Sequence, residues 1–242
     1  MPNYRLDISY DGGEFCGWQI QKQENSVQGT ITRALEILFR HKINLIGAGR
    51  TDAGVHALGQ VANFTSDEEM DTAHLRYKLN SIVPRSIAVK NVSVVPGDFN
   101  ARFSAKTRVY YYIITGAKSP FFYKYAVYMY NPLNLSLLNS YSELLAGKRD
   151  YASFTKQFHK NDSNICDIIS AQWRKKGSYT IFRIEANRFL HGMVRTIVGT
   201  QLMLQRTEES PEVFGNIIEG KDRKLSASSA PAHGLFLYKV TY

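Results

Sequence analysis

The residues with the clearest chemical potential lie in Gly47-Ala48-Gly49-Arg50-Thr51-Asp52-Ala53-Gly54-Val55-His56, which continues through Ala57 and Leu58 to Gly59-Gln60-Val61. Four glycines, one arginine, one carboxylate and one imidazole share fifteen residues. Arg50 stands two residues from Asp52, and a nearby cation favours the anionic form of a carboxylate. An ionised, oriented aspartate is a competent nucleophile toward carbon, as in glycosyl chemistry. The same Arg-x-Asp spacing also suits an ordinary surface-turn salt bridge, and spacing alone does not separate the two. Phosphate-loop readings fail on specific residues. Gly49 to Gly54 has Walker spacing, but Val55-His56 replaces the required lysine and hydroxyl, and a dinucleotide loop would need glycine where Asp52 stands. As metal ligands, Asp52 and His56 are spaced i, i+4, yet no second cluster completes a set, and His159, His191 and His233 are scattered singly. No metal is expected.

The elements that must hold this loop can be read from periodicity. Tyr4 to Tyr10 alternates like a half-buried strand and ends in the turn residues Asp11-Gly12-Gly13. Phe15-Cys16-Gly17-Trp18-Gln19 is an aromatic loop, either a packing plug or an RNA contact. Ser26 reads as an N-cap, and Val27, Ile31, Ala34, Leu35, Leu38 and Phe39 recur at helical spacing. The pattern places a helix before the glycine loop and a strand, Gln60 to Phe64, after it. Asp71 caps a helix expected to run through Leu79, followed by one or two strands over Ile87 to Val95 and a basic connector over 99–108.

Val109 to Thr115 opens a second half. It continues with a helix over Leu135 to Leu145 stopped by Gly147, and a polar loop over 156–164. A hairpin follows over 165–174 and 179–185, then an apolar helix over Val194 to Leu204 and a short helix near Pro211 to Ile218. Leu235 to Tyr242 is a closing strand. The expected fold is α+β: two similar halves, 1–105 and 106–242, with mainly antiparallel sheets flanked by helices.

The chain has 242 residues, with 30 Lys and Arg against 21 Asp and Glu, a net charge of +9. That excess suits a polyanion, or a merely basic soluble protein. Fifteen tyrosines and 13 phenylalanines offer rings for unpaired bases, although most must form core. No apolar run reaches the ~18 residues of a membrane span, and Met1 to Asp7 carries no apolar signal region. Two cysteines, Cys16 and Cys166, suggest reduced thiols and a cytoplasmic setting.

The loop from Gly47 to Ala57 closely resembles the signature of TruA-type tRNA pseudouridine synthases, and the resemblance extends along nearly the whole chain. It includes Asp7-Ile8-Ser9-Tyr10-Asp11-Gly12, Phe15, Gly17-Trp18-Gln19, Ser26-Val27-Gln28 and Phe99-Asn100-Ala101-Arg102. It continues with Lys106-Thr107-Arg108, Tyr110 and Tyr112, Arg188-Phe189-Leu190, Met193-Val194-Arg195, Ala230-Pro231 and Gly234-Leu235. The resemblance implies a pseudouridine synthase fold with its active-site cleft between the halves. It implies a cofactor-free isomerase that converts uridine to pseudouridine at positions 38, 39 and 40 of the tRNA anticodon arm, and a homodimer bridged by tRNA. Asp52 would be the nucleophile, attacking either C6 of uracil or C1′ of ribose. Arg50 would fill the space left by the flipped uridine or grip a flanking phosphate, Tyr110 would stack on the base, Arg195 would pair with Asp52, and Leu235 would wall the pocket. Flipping itself costs a few kcal/mol of stacking. His191-Gly192-Met193 departs from the family pattern, which usually has a basic residue and a histidine before the methionine, and His233 occupies a variable position. The competing readings are a non-catalytic tRNA-binding or folding factor and, more remotely, an enzyme acting on free nucleotides.

Overall fold

A computed structural model describes residues 1–22, 25–155 and 163–242. Most of the polar loop expected over 156–164 therefore lies outside the described residues. The chain forms two compact units, Met1–Lys106 with Phe236–Tyr242, and Thr107–Leu235.

In the first unit, β1 (Asn3–Tyr10) pairs antiparallel with β3 (His56–Thr65) on one side and β4 (Ile87–Val95) on the other. The alternation seen in the sequence buries Leu6, Ile8 and Tyr10 on one face. Helix α1 (Val27–Phe39) begins where Ser26 accepts a hydrogen bond from the Gly29 N–H, and it buries Val27, Ile31, Ala34, Leu35 and Phe39. These residues fall on one stripe of a 3.6-residue period, which is why the helix forms against the sheet. Phe39, Phe64 and Tyr4 make an aromatic cluster with centroids 5.2 and 5.5 Å apart. Helix α2 (Thr72–Ile82) is capped by Asp71, runs three residues beyond the expected stop, and packs on β4.

The approach to the glycine loop differs from the expected helix–loop–strand order. A short strand, β2 (Ile46–Gly47), intervenes and pairs antiparallel with Asn63 and Ala62 of β3. Ile43 and Leu45 are buried while Asn44 is exposed, a two-residue period that keeps this run extended. Residues 48–55 therefore connect two paired strands. The last strand, β10 (Leu235–Thr241), joins β3 in parallel through Phe236↔His56 and Leu237↔Ala57.

In the second unit, β5 (Thr107–Thr115) pairs antiparallel with β9 (Tyr179–Ala186), and β9 forms a hairpin with β8 (Ile165–Lys176). A short β6 (Val127–Tyr128) lies parallel to the end of β5, and β7 (Gly147–Asp150) extends the sheet from β8. Helices α3 (Leu135–Glu143), α4 (Met193–Arg206) and α5 (Pro211–Gly220) pack on one another, with α3 against β8. Trp173 packs on Phe182 at 4.9 Å and donates its indole N–H to Gln201 Oε1 at 2.8 Å, so a buried polar group is satisfied. Both units are α+β with largely antiparallel pairing, as the sequence pattern implied.

The two thiols differ in environment. Cys16 is exposed and Cys166 is buried. Burial holds the Cys166 thiol up at about 11, with Arg188 lowering it slightly and Asp150 raising it. One equivalent of Ellman's reagent is expected to react promptly with the native chain and a second only after denaturation. Because the folded thiol keeps its proton longer than the unfolded one, this group's contribution to stability is complete below its ordinary value of 9.0. It is lost as pH rises from there to about 11.

Candidate active site

The loop carrying Asp52 is fastened along its whole length. The Ala48 N–H donates to Val61 O at 2.8 Å, and the Gln60 side-chain amide donates to Gly49 O at 2.9 Å. The Thr51 hydroxyl lies 2.8 Å from the Tyr10 hydroxyl in a buried pair, and Thr51 O accepts from the Trp18 N–H at 3.1 Å. The Gly54 N–H donates to Phe15 O at 3.3 Å, and the Val55 N–H closes a turn onto Asp52 O at 3.1 Å. Phe15 and Trp18 are both buried, so their side chains are the packing plug under the loop and not an RNA contact. Asp52 is half-buried at the apex, and Arg50 is exposed beside it.

His56 begins β3 and is buried. Its Nδ1 lies 3.1 Å from the Gly12 N–H and 3.0 Å from Asp11 Oδ1, and its ring stacks on Phe236 at 4.7 Å. A neutral ring accepts from Gly12, while a charged one pairs with Asp11; in either state the imidazole braces the foot of the loop. Among the described residues no three His, Cys, Asp or Glu side chains gather as a metal group, and no helix is long and apolar enough to cross a membrane.

The other expected site residues lie in the second unit. Tyr110 is buried on β5 opposite Ile184, with its ring edge-on to Phe189 at 5.2 Å and 87°. Arg195 lies in the first turn of α4, half-buried. Its Nε donates to Ala230 O at 2.8 Å, while Ala230 N–H donates back to Arg195 O at 2.9 Å. The Thr196 and Ser229 hydroxyls meet at 2.9 Å. The segment before β10 is thus strapped onto α4, and Tyr112 ties the same strap to β5 by donating to Pro231 O at 3.0 Å. Burial raises the Tyr112 hydroxyl above the ordinary phenol range, and the Arg195 charge offsets part of that. Leu235 follows directly, buried, with its N–H on Ala232 O.

Arg195 and Leu235 therefore belong to one strapped assembly whose anchor, Tyr112, shares a strand with Tyr110, while Arg50 and Asp52 share the braced loop. His191 is exposed just before α4, and Gly192 adopts φ +71, a left-handed conformation that glycine accepts without strain. The supporting residues Tyr10, Thr51, His56 and Ser229 were not singled out for these roles, since each contact joins positions far apart in sequence.

In the first unit a half-buried carboxylate stands on a loop fastened by hydrogen bonds, and in the second a guanidinium at the start of α4 is tied to Ala230 O. Residues 8–104 and 142–242 match the family model described as tRNA pseudouridine synthase. A protein named tRNA pseudouridine synthase A from Azobacteroides pseudotrichonymphae is 40% identical over 242 residues, covering 100% of this chain and 97% of that one. Its namesake from Chlorobium phaeovibrioides is 38% identical with both chains covered in full, and that from Bacteroides thetaiotaomicron is 41% identical over 100% of this chain and 91% of its own. The chain belongs to the tRNA pseudouridine synthase family.

Proposed function

We propose that this chain is an isomerase that converts uridine to pseudouridine at positions 38, 39 and 40 of the tRNA anticodon arm, with Asp52 as its nucleophile. The observation that carries this is a carboxylate on a heavily fastened loop in a chain of this family. Asp52 adds to C6 of uracil or to C1′ of ribose. The N1–C1′ bond breaks, the base turns, C5 bonds to C1′, C5 loses its proton to solvent while N1 takes one up, and the aspartate is released. The product is an isomer, so no electrons enter or leave and no redox cofactor is called for.

Arg50, exposed beside Asp52, suits a flanking phosphate or the gap left by the flipped nucleotide. Tyr110 stacks on the base, Arg195 pairs with the nucleophile, and Leu235 supplies an apolar wall. The net charge of +9 fits a polyanionic substrate. The working unit is a homodimer in the cytoplasm, with one tRNA spanning both copies.

The test uses tRNA transcribed with C5-tritiated uridine. About one tritium is expected in solvent for each converted uridine, and primer extension after carbodiimide treatment should stop only at positions 38 to 40. Tight tRNA binding with no release above an enzyme-free control would make this a binding factor instead.

A further inference from the structure

The two stretches matching the family model leave residues 105–141 between them, and the most unusual surface lies there. From Gly116 to Ser142 the sequence carries Lys118 and Lys124 and no carboxylate. Six aromatic rings between residues 121 and 130 are exposed, Phe121 and Tyr130 by more than four-fifths. At 150–250 Å² per ring these expose on the order of 700 Å². The largest apolar patch on a typical monomer is roughly 300–600 Å² and is often functional.

Part of this surface is concave. A groove of about 770 Å³ is lined by Phe122, Tyr123 and Tyr128, with Lys118, Ser119 and His233 among its polar groups. Its walls are fixed by main-chain bonds: Tyr125 and Ala126 N–H groups both donate to Phe122 O, and Met129 N–H donates to Thr115 O. Lys124 lies over the Tyr123 ring at 5.9 Å.

Rings in a fixed groove, two lysines and no acid form the combination that binds unpaired nucleotides: bases stack on the rings and phosphates meet the cations. Charge argues against a second copy of this chain seated on the same face. Each copy carries a net charge of +9, and the stretch from Gly116 to Ser142 offers two lysines and no carboxylate, a balance that suits a polyanion better than a second basic chain. We propose that this groove docks tRNA, stacking an unpaired base on Phe122, Tyr123 and Tyr128 while Lys118 and His233 meet the flanking phosphates. This rests on the reading that the chain acts on tRNA and adds a second point of contact to the nucleotide that reacts.

The experiment measures binding of an unmodified tRNA transcript to the full chain. Phe122→Ala with Tyr128→Ala should raise Kd about ten- to a hundredfold, and Tyr128→Phe, which keeps the ring, should stay near wild type. Tyr77→Ala, an exposed ring on α2, should change nothing. Lys118→Ala with Lys124→Ala should lower the slope of log affinity against log salt by about one to two. Unchanged Kd in the double ring variant would overturn the proposal. So would conversion of a dimer to monomers, by sedimentation equilibrium, with tRNA affinity per chain intact, since the face would then join protein copies. Weakened tRNA binding in the ring variant would sustain the groove even if the wild type released no tritium. That result would overturn the isomerase reading alone.

Discussion

Asp52→Asn should stop pseudouridine formation while leaving the fold and tRNA binding in place. The bonds that fasten the loop run through Thr51, Gly54 and the main-chain oxygen of Asp52, all of which survive the substitution. Asparagine fills nearly the same volume, so the turn closed by Val55 N–H onto residue 52 keeps its shape. Its neutral amide lacks the electron pair density a nucleophile needs. Removing a nucleophile from a catalytic unit costs several orders of magnitude, and we expect tritium release to fall by at least about four. Affinity for tRNA should hold or tighten, because the change deletes a negative charge from a site that receives a polyanion. A residual rate within about tenfold of wild type would remove Asp52 from the nucleophile's role. An equal loss of tRNA affinity would assign it to binding.

How much of this was readable in the sequence depends on how local each cause is. Helix α1 was legible to its ends because its cap, Ser26, directly precedes the thirteen residues, Val27 to Phe39, that carry its buried stripe. The β8–β9 hairpin was legible because two alternating runs meet at a short turn. Strand β2 was not, since two residues carry no period of their own and become a strand only by finding Asn63 and Ala62. The seat of the last strand was equally hidden. Phe236 pairs beside His56, and no pattern within either segment encodes a partner so far along the chain. For the candidate site, residue types and spacing narrowed the loop to a carboxylate chemistry or a plain salt bridge. Burial then settled its neighbours, turning Phe15 and Trp18 into the plug beneath it. The strap that holds Arg195 was invisible because on the Ala230 side both bonds use main-chain atoms, which every residue type offers.

Main-chain packing also sets the second large effect, expected from Gly12→Ala. An alanine Cβ at position 12 would lie 2.0 Å from Val55 O and 2.5 Å from Val55 C, atoms of backbone that cannot rotate aside. The glycine is not in a left-handed conformation, so alanine would be accepted by its dihedral angles and would by itself stabilise through the unfolded chain by roughly 0.4–1 kcal/mol. The overlap outweighs that gain: restoring ordinary contact requires the 12–14 turn and the 52–55 turn to separate by about 1.4 Å, an overpacking cost of about 1–3 kcal/mol. The Gly12 N–H bond to His56 Nδ1, at 3.1 Å, would be stretched by the same movement. Because the displaced turn carries Asp52, the rate should suffer more than the stability. A shift of about 1 Å in a catalytic group costs on the order of a hundredfold, and the fall should appear in kcat, with tRNA affinity nearly unchanged. Gly13→Ala is the matched control. Its new Cβ would meet only the Asp11 side chain, at 3.1 Å, so kcat should stay within about threefold of wild type. If Gly12→Ala retained as much, the loop would not be held by the contact at Val55, and the precision ascribed to Asp52 would have to come from elsewhere in its surroundings.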